Sequence, residues 1–301
     1  MSRLLSAIRD RVLLGDGAMG TQLQQAGLES GGCGEAWNLD HPDRVRAIQR
    51  RYVEAGADCL ITNTFGASRI MLARHDEAAR TADINRAGVA IAREAFGGRP
   101  GFVLGDIGPF GGLMQPLGEI ARADVEAAFR EQARALVAGG ADAIIIETQT
   151  ALEELEIAIA AAREAGAPAV IGSIAFDRML DVYDVRTMMG VSPEQAAEFM
   201  AAREVDVLGL NCGKGVDVPM AAAIVRRFRA VSGLPVMAQP NAGAPVLENF
   251  AVVYRETPDE MAGQLPALLD AGVAIVGGCC GSTPDHMRKF REILDARRGR
   301  R

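Results

Sequence analysis

The chain has 301 residues, with 32 Lys plus Arg against 39 Asp plus Glu, a formal charge of −7, 49% hydrophobic residues and 24% charged ones. This is the balance of an ordinary globular chain, which excludes disorder. Its one basic run, Arg297-Arg298-Gly299-Arg300-Arg301, is too slight for a nucleic-acid or anionic-membrane surface, so neither partner is expected. Charges at Arg3, Arg9 and Asp10 interrupt what would be the apolar core of a signal peptide, and no apolar stretch approaches the ~18 residues of a membrane span. Five scattered cysteines are not a disulfide framework. A cytoplasmic, reducing setting is expected, where thiols are available for chemistry.

In chain order, short apolar runs alternate with segments of 3.6-residue period. Strands are expected at residues 12–14, 59–64, 102–106, 143–147, 169–174, 207–211, 235–239 and 274–276. Helices are expected at 43–55, 76–96, 123–138, 152–165, 194–202, 220–231, 259–271 and 285–295. A repeated phrase joins helix to strand: Ala55-Gly56-Ala57-Asp58, Gly139-Gly140-Ala141-Asp142 and Ala271-Gly272-Val273-Ala274. Gly there supplies the left-handed residue that ends a helix. Ser192-Pro193-Glu194 and Ser282-Thr283-Pro284-Asp285 carry helix-start chemistry. The strands read as continuous apolar runs, as in a parallel sheet buried on both faces. Eight such units with no linker between them point to an α/β chain folded as one domain over 1–301, a (β/α)8 TIM barrel. Gly15-Asp16-Gly17-Ala18-Met19-Gly20 has G-x-G-x-x-G spacing. A dinucleotide site is nonetheless excluded, because the second strand lacks a terminal acid and Asp16 would repel a pyrophosphate.

Active sites of such barrels lie at the C-terminal ends of the strands. Those ends carry Asp16, Asn63, Phe65, Asp106, Glu147, Asn211, Cys212, Gln239, Asn241, Cys279 and Cys280, so three of the five cysteines fall in this set. Cys212, Cys279 and Cys280 are therefore expected to meet at the mouth as a soft thiolate set that suits Zn²⁺ and leaves one tetrahedral position open. Inert buried thiols, or a vicinal disulfide at Cys279–Cys280, are the competing readings. Cys33 and Cys59 are assigned to structure, as are His41, His75 and His286. Three thiolates cancel the charge of the ion, making it a poor activator of water but a good holder of an incoming thiol as a nucleophilic thiolate. The chemistry expected is alkyl transfer to a substrate thiol. Asp16 and Glu147 are candidates for binding an ammonium group, and Gly17 to Gly20 for offering backbone N–H groups to a carboxylate. For single acids, an Asx-turn at Asp16 and a helix cap at Glu147 are the plainer alternatives.

The motifs G-D-G-A-M-G-T (15–21), I-T-N-T-F (61–65) within 38–72, G-D-I-G-P (105–109), N-C-G (211–213), P-N-A-G (240–243) and G-G-C-C-G (277–281) together resemble the homocysteine S-methyltransferase family. The resemblance spans about residues 10–295 and is strongest to the homocysteine-binding barrel of cobalamin-dependent methionine synthase and to short bacterial betaine- or corrinoid-linked relatives. It implies that Cys212, Cys279 and Cys280 hold zinc and that homocysteine sulfur takes the fourth place. It also implies that Asp16 and Glu147 bind the amino group and Gly17 with neighbouring amides the carboxylate. Asn241 matches a residue that occupies the metal when substrate is absent, and Asn211 a position that supports the substrate site. The implied activity forms methionine from homocysteine, with betaine, methylcobalamin or methyltetrahydrofolate, and S-methylmethionine all open as donors. Trp37, Phe65, Phe110 and Tyr183 are the loop aromatics available to cage a quaternary ammonium, and residues 183–190 resemble bacterial betaine-type relatives. No corrinoid- or folate-binding module is expected within the chain. Two alternatives stand beside this: a subunit exchanging methyl groups with a separate corrinoid protein or tetrahydrofolate, and a metal-free binding barrel.

Overall fold

The computed structural model describes residues 2–179, 184–248 and 251–299. Eight parallel strands, β1 (Leu13–Leu14), β2 (Cys59–Ile61), β3 (Phe102–Ile107), β4 (Ala143–Gln149), β5 (Val170–Ile174), β6 (Val207–Asn211), β7 (Val236–Gln239) and β8 (Ile275–Val276), form one sheet in the order β1-β8-β7-β6-β5-β4-β3-β2. Around it run α1 (Pro42–Glu54), α2 (Thr81–Ala95), α3 (Arg122–Ala138), α4 (Leu152–Glu164), α5 (Pro193–Ala202), α6 (Val218–Val231), α7 (Pro258–Asp270) and α8 (Pro284–Arg298). This is the (β/α)8 barrel expected from the alternating pattern. Among the described residues no helix is long and apolar enough to cross a membrane.

The two faces of each strand divide the core. Leu13, Cys59, Phe102, Leu104, Ala143, Ile145, Ile171, Val207, Met237 and Ile275 fill the barrel interior, together with Leu4 of the N-terminal helix Arg3–Asp10. Their neighbours Leu14, Leu60, Val103, Ile144, Ile146, Val170, Leu208, Val236 and Val276 face the helices. Cys59 is thus a core residue, as assigned. Gly56, Gly140 and Gly272 are left-handed at the helix ends (φ of 100°, 88° and 89°), and capping boxes at Ser192 and Thr283 start α5 and α8.

The first and last members of the sheet order, β1 and β2, are stitched rather than laddered. The Asp58 N–H donates to Leu14 O (2.7 Å), while the Leu14 N–H donates to the Asp58 carboxylate (2.9 Å). Arg11 holds the same carboxylate through two 2.7 Å bonds, and Arg291 adds a third at 3.2 Å. Further along, the Ile61 N–H donates to the carboxylate of Asp16 (2.8 Å). Two aspartates therefore supply acceptors where strand pairing lapses.

Several boundaries differ from expectation. β2 stops at Ile61 because the Thr64 N–H turns back onto Thr62 O (2.9 Å), and Asn63 leaves the sheet to donate to Gly34 O (2.8 Å). The helix expected from residue 76 begins at Thr81, since Asp76 is left-handed (φ 59°) and two 3-10 turns, Ala73–His75 and Ala78–Arg80, precede it. Two antiparallel hairpins at the barrel mouth were not anticipated: Asp177–Arg178 with Val185–Arg186 after β5, and Pro245–Glu248 with Ala251–Tyr254 after β7.

Asp58 is the charge on which the seam converges; its removal strands Arg11 and one strand N–H and leaves Arg291 with Asp295 alone, at 3.1 Å. Asp58→Ala is expected to lower unfolding free energy by about 2–4 kcal/mol, read from urea denaturation. Asp58→Asn, which keeps an acceptor for Leu14, should lose less.

Candidate active site

Cys212 leaves β6, Cys279 and Cys280 leave β8, and β7 lies between. Cys212 is itself left-handed (φ 57°) and is followed by Gly213 at φ 85°. A side chain at Gly213 would sit 1.8 Å from Phe176 O, so only glycine permits the turn that aims the Cys212 thiol across the mouth. The segment after β7 ties the two cysteine loops together. Asn241 donates from Nδ2 to Gly213 O (2.9 Å) and accepts at Oδ1 from the Cys280 N–H (3.1 Å). The Cys279 N–H donates to Pro240 O (2.9 Å), and the Cys212 N–H to Gln239 O (3.2 Å).

The three sulfurs consequently lie within 4.8 Å of one another. Cys212 Sγ is 3.8 Å and Cys279 Sγ 3.9 Å from Cys280 Sγ, and all are free thiols. The vicinal-disulfide reading is thereby excluded. A tetrahedral ion with ~2.3 Å bonds to sulfur requires S···S separations near 3.8 Å, so the donor set and its spacing fit zinc. Thiols this close share negative charge poorly. The bonds to Cys212 and Cys279 pull Cys280 down to about 3, with the Tyr254 hydroxyl helping, while Cys212 rises to about 11 and Cys279 also rises. Alone the cluster resists carrying more than a shared negative charge; a cation is what would allow three thiolates.

Beside the thiols opens a cavity of about 490 Å³ whose lining includes Asp16, Glu35, Asp106 and Glu147 and, among the described residues, no Lys, Arg or His. Burial pushes Asp16 well above the usual carboxylate range, and Glu147 rises to about 7 from the same cause. Asp16 Oδ2 is spent on Ile61 across the seam, which removes the Asx-turn reading, and its Oδ1 is buried without a partner. Glu147 lies within β4, several residues before α4 begins, so it caps no helix. Gly17 packs against Ser282 and Tyr52. Of the adjoining amides, Ala18 already donates to Ser282 Oγ (3.2 Å), whereas the hydroxyl of Thr21, also on the cavity wall, is buried and unpartnered.

Asn211 stands behind the cavity wall. It accepts from the Thr148 N–H (2.9 Å) and Ser173 Oγ (2.7 Å) and donates to Thr148 Oγ1 (2.7 Å). It thereby holds Thr148 in its left-handed conformation (φ 58°) and fixes the end of β4 that bears Glu147. Of the described loop aromatics, only Phe65 lines the cavity. Trp37 is packed edge-on to His41 and Phe110 is fully buried, while Tyr183 lies outside the described residues. His286 is a core residue bonded to Thr283 and Glu256 O.

Two contributors are unmarked in the sequence, and a third, Asp106, stands there among the strand ends without a role. Asp106 ends β3, lines the cavity and bonds to Glu147 side chain to side chain; its place at a strand end was the available signal. Thr21 sits in the G-D-G-A-M-G-T motif without a charge to mark it. Tyr254 reaches Cys280 from the second hairpin, and nothing in the sequence announces that approach.

A (β/α)8 barrel that sets a three-cysteine cluster able to hold a metal ion against an acid-lined cavity defines the class of this chain. Within that class, the homocysteine S-methyltransferase profile matches residues 13–294, and the chain belongs to that family. It is 38% identical over 300 residues to methionine synthase of Mycobacterium tuberculosis and 37% identical to that of Mycobacterium leprae. These matches cover 95% of this chain but 25% and 24% of those proteins, so the chain spans about a quarter of their length. The fold is shared with the metallated form of the Escherichia coli homocysteine methyltransferase MmuM, with a TM-score of 0.79 at 23% identity over 97% of this chain and 100% of that one.

Glu154, on the first turn of α4, accepts from the Phe110 N–H (2.7 Å) and so anchors the loop that follows β3. Burial lifts its carboxyl to about 7. A carboxyl raised in the fold favours the native state fully below its unfolded value of ~4.3, and that contribution is lost as pH climbs through 7. Glu154→Gln keeps an acceptor and never ionises. Its stability relative to the parent should therefore be greater at pH 8 than at pH 5, as measured by denaturation midpoints at the two values.

Proposed function

We propose that this chain is a zinc-dependent methyltransferase that moves a methyl group to the sulfur of homocysteine, forming methionine. The observation that carries this reading is the convergence of Cys212, Cys279 and Cys280 at 3.8 and 3.9 Å spacings suited to one tetrahedral ion. Cys212, Cys279 and Cys280 would hold the zinc, which when bound would supply the acidity that deprotonates a substrate thiol and keeps it nucleophilic. The substrate sulfur then forms a bond to the methyl carbon while the donor's bond to that carbon breaks, its electron pair leaving with the donor.

The residues of the chain orient the pair. Glu147 and Asp16 attract the substrate ammonium, and the absence, among the described residues, of any cationic side chain on the wall leaves that charge uncontested. Thr21 Oγ1 and the amides of the Gly17 region are the donors offered to the substrate carboxylate. Asn211 acts through Thr148 to keep Glu147 in place. Asn241 would have to give up its bonds to Gly213 and Cys280 to serve as a ligand in the absence of substrate.

A second reading, methyl exchange with a separate corrinoid protein or tetrahydrofolate, is favoured by one feature. Leu113, Leu117, Met188, Met189 and Leu247 are about half or more exposed, and all lie on loops beyond the C-terminal ends of strands. Such an apolar rim suits a partner brought to the mouth.

Purified under reducing conditions, the protein should hold one zinc per chain by metal analysis. Cys212→Ser, Cys279→Ser or Cys280→Ser should each abolish tight binding, and metal-free protein with all thiols reduced would end the zinc reading. Betaine, S-methylmethionine, S-adenosylmethionine, methylcobalamin and methyltetrahydrofolate should then be offered separately with homocysteine and methionine measured. Turnover with a small onium donor alone selects the first reading, and turnover that appears only with corrinoid or folate selects the second.

A further inference from the structure

Asp106 takes no part in the reading above, yet it is among the most firmly placed residues at the mouth. Its N–H and Thr62 Oγ1 lie 2.9 Å apart, and its carbonyl accepts from Thr64 Oγ1 (2.8 Å) and Gln132 Nε2 (3.2 Å). Thr62 and Thr64 are themselves joined at 2.6 Å. All these groups are buried. The carboxyl so positioned lines the cavity, bonds to Glu147 and leaves Oδ1 buried without a partner.

A buried carboxyl oxygen without a donor costs free energy that the fold recovers only if something completes it. Asp16 Oδ1, on the same cavity wall, is in the same state. Asp16, Asp106 and Glu147 come from the ends of β1, β3 and β4 and are close enough to influence one another's charge. Among the described residues, no cationic side chain lines the space they share. A primary ammonium has three N–H donors and no acceptor, which matches this set in number and sign. We infer that Asp106 is a further substrate-binding residue, completing with Asp16 and Glu147 a three-carboxyl receptor for the ammonium group of an amino-acid thiol. The receptor makes the amino group, and not the thiol alone, the feature the site selects.

This deepens the homocysteine reading and rests on it, so the test separates the two. Binding of L-homocysteine and of its deamino analogue 4-mercaptobutanoate is measured by calorimetry on the metal-loaded protein, for the parent chain and for Asp106→Asn and Asp106→Ser. Asn preserves size and a bond to Glu147, and Ser tolerates the buried polar surroundings, so loss of fold in one leaves the other to decide. The parent should prefer homocysteine. Each variant should weaken homocysteine by about 10- to 100-fold, the worth of a bond to a charged group, and leave the analogue unchanged, so that the preference collapses. Equal weakening of both thiols, an unchanged preference, or a parent that binds the two alike would overturn the assignment of Asp106. A parent that binds neither thiol would instead remove the homocysteine reading itself.

Discussion

The site depends on one constraint: the strand between the two cysteine loops must hold them at a fixed distance. β7 and the turn after it do this with main-chain bonds from Cys212 to Gln239 and from Cys279 to Pro240. Asn241 adds one polar atom on each side. Thiols placed by backbone rather than by their own rotamers lose little entropy on meeting an ion, which is the usual route to a precise centre. The same closeness makes the cluster electrostatically incomplete by itself, because sulfurs near 3.8 Å apart cannot all ionise without a cation.

The opposite end of the cavity follows a complementary logic. Carboxyls, Asp16 and Asp106 among them almost fully buried, are gathered where no basic side chain among the described residues answers them. In such a setting a charge is costly until a partner arrives, and an incoming cation therefore finds both a strong field and unfilled acceptors. Asp16 also belongs to the seam between β1 and β2 through Ile61, so one carboxylate serves barrel closure with one oxygen and faces the cavity with the other residue atoms. Fold and site share this residue, which explains why the cavity begins where regular strand pairing gives out.

Much of this is legible in the sequence. Continuous apolar runs alternating with helical periods, punctuated by Gly56, Gly140 and Gly272, led to the barrel because each local signal agreed with the others. Strand-end position singled out Cys212, Cys279, Cys280, Asp16 and Glu147. The short excursions were less legible. The hairpins after β5 and β7, the early end of β2 and the delayed start of α2 are settled by single hydrogen bonds and left-handed residues such as Asp76, which leave no periodic trace. Asn211 and Asn241 read as polar residues near the ligands, and their work as ties between loops lies in pairings that span 63, 39 and 28 residues of sequence.

By itself, then, the order of amino acids determined the architecture and brought three cysteines and several carboxyls to the strand ends as a candidate site, because pattern, residue chemistry and the geometry of parallel barrels suffice for these. Only the tertiary structure decided which oxygens are already occupied and which are left over. That Asn211 supports Thr148 while Asp106 joins Glu147 follows from how loops from different strands close on one another. Hydrogen-bond partnership between distant segments is a property of the packed barrel, and no local stretch of sequence encodes it.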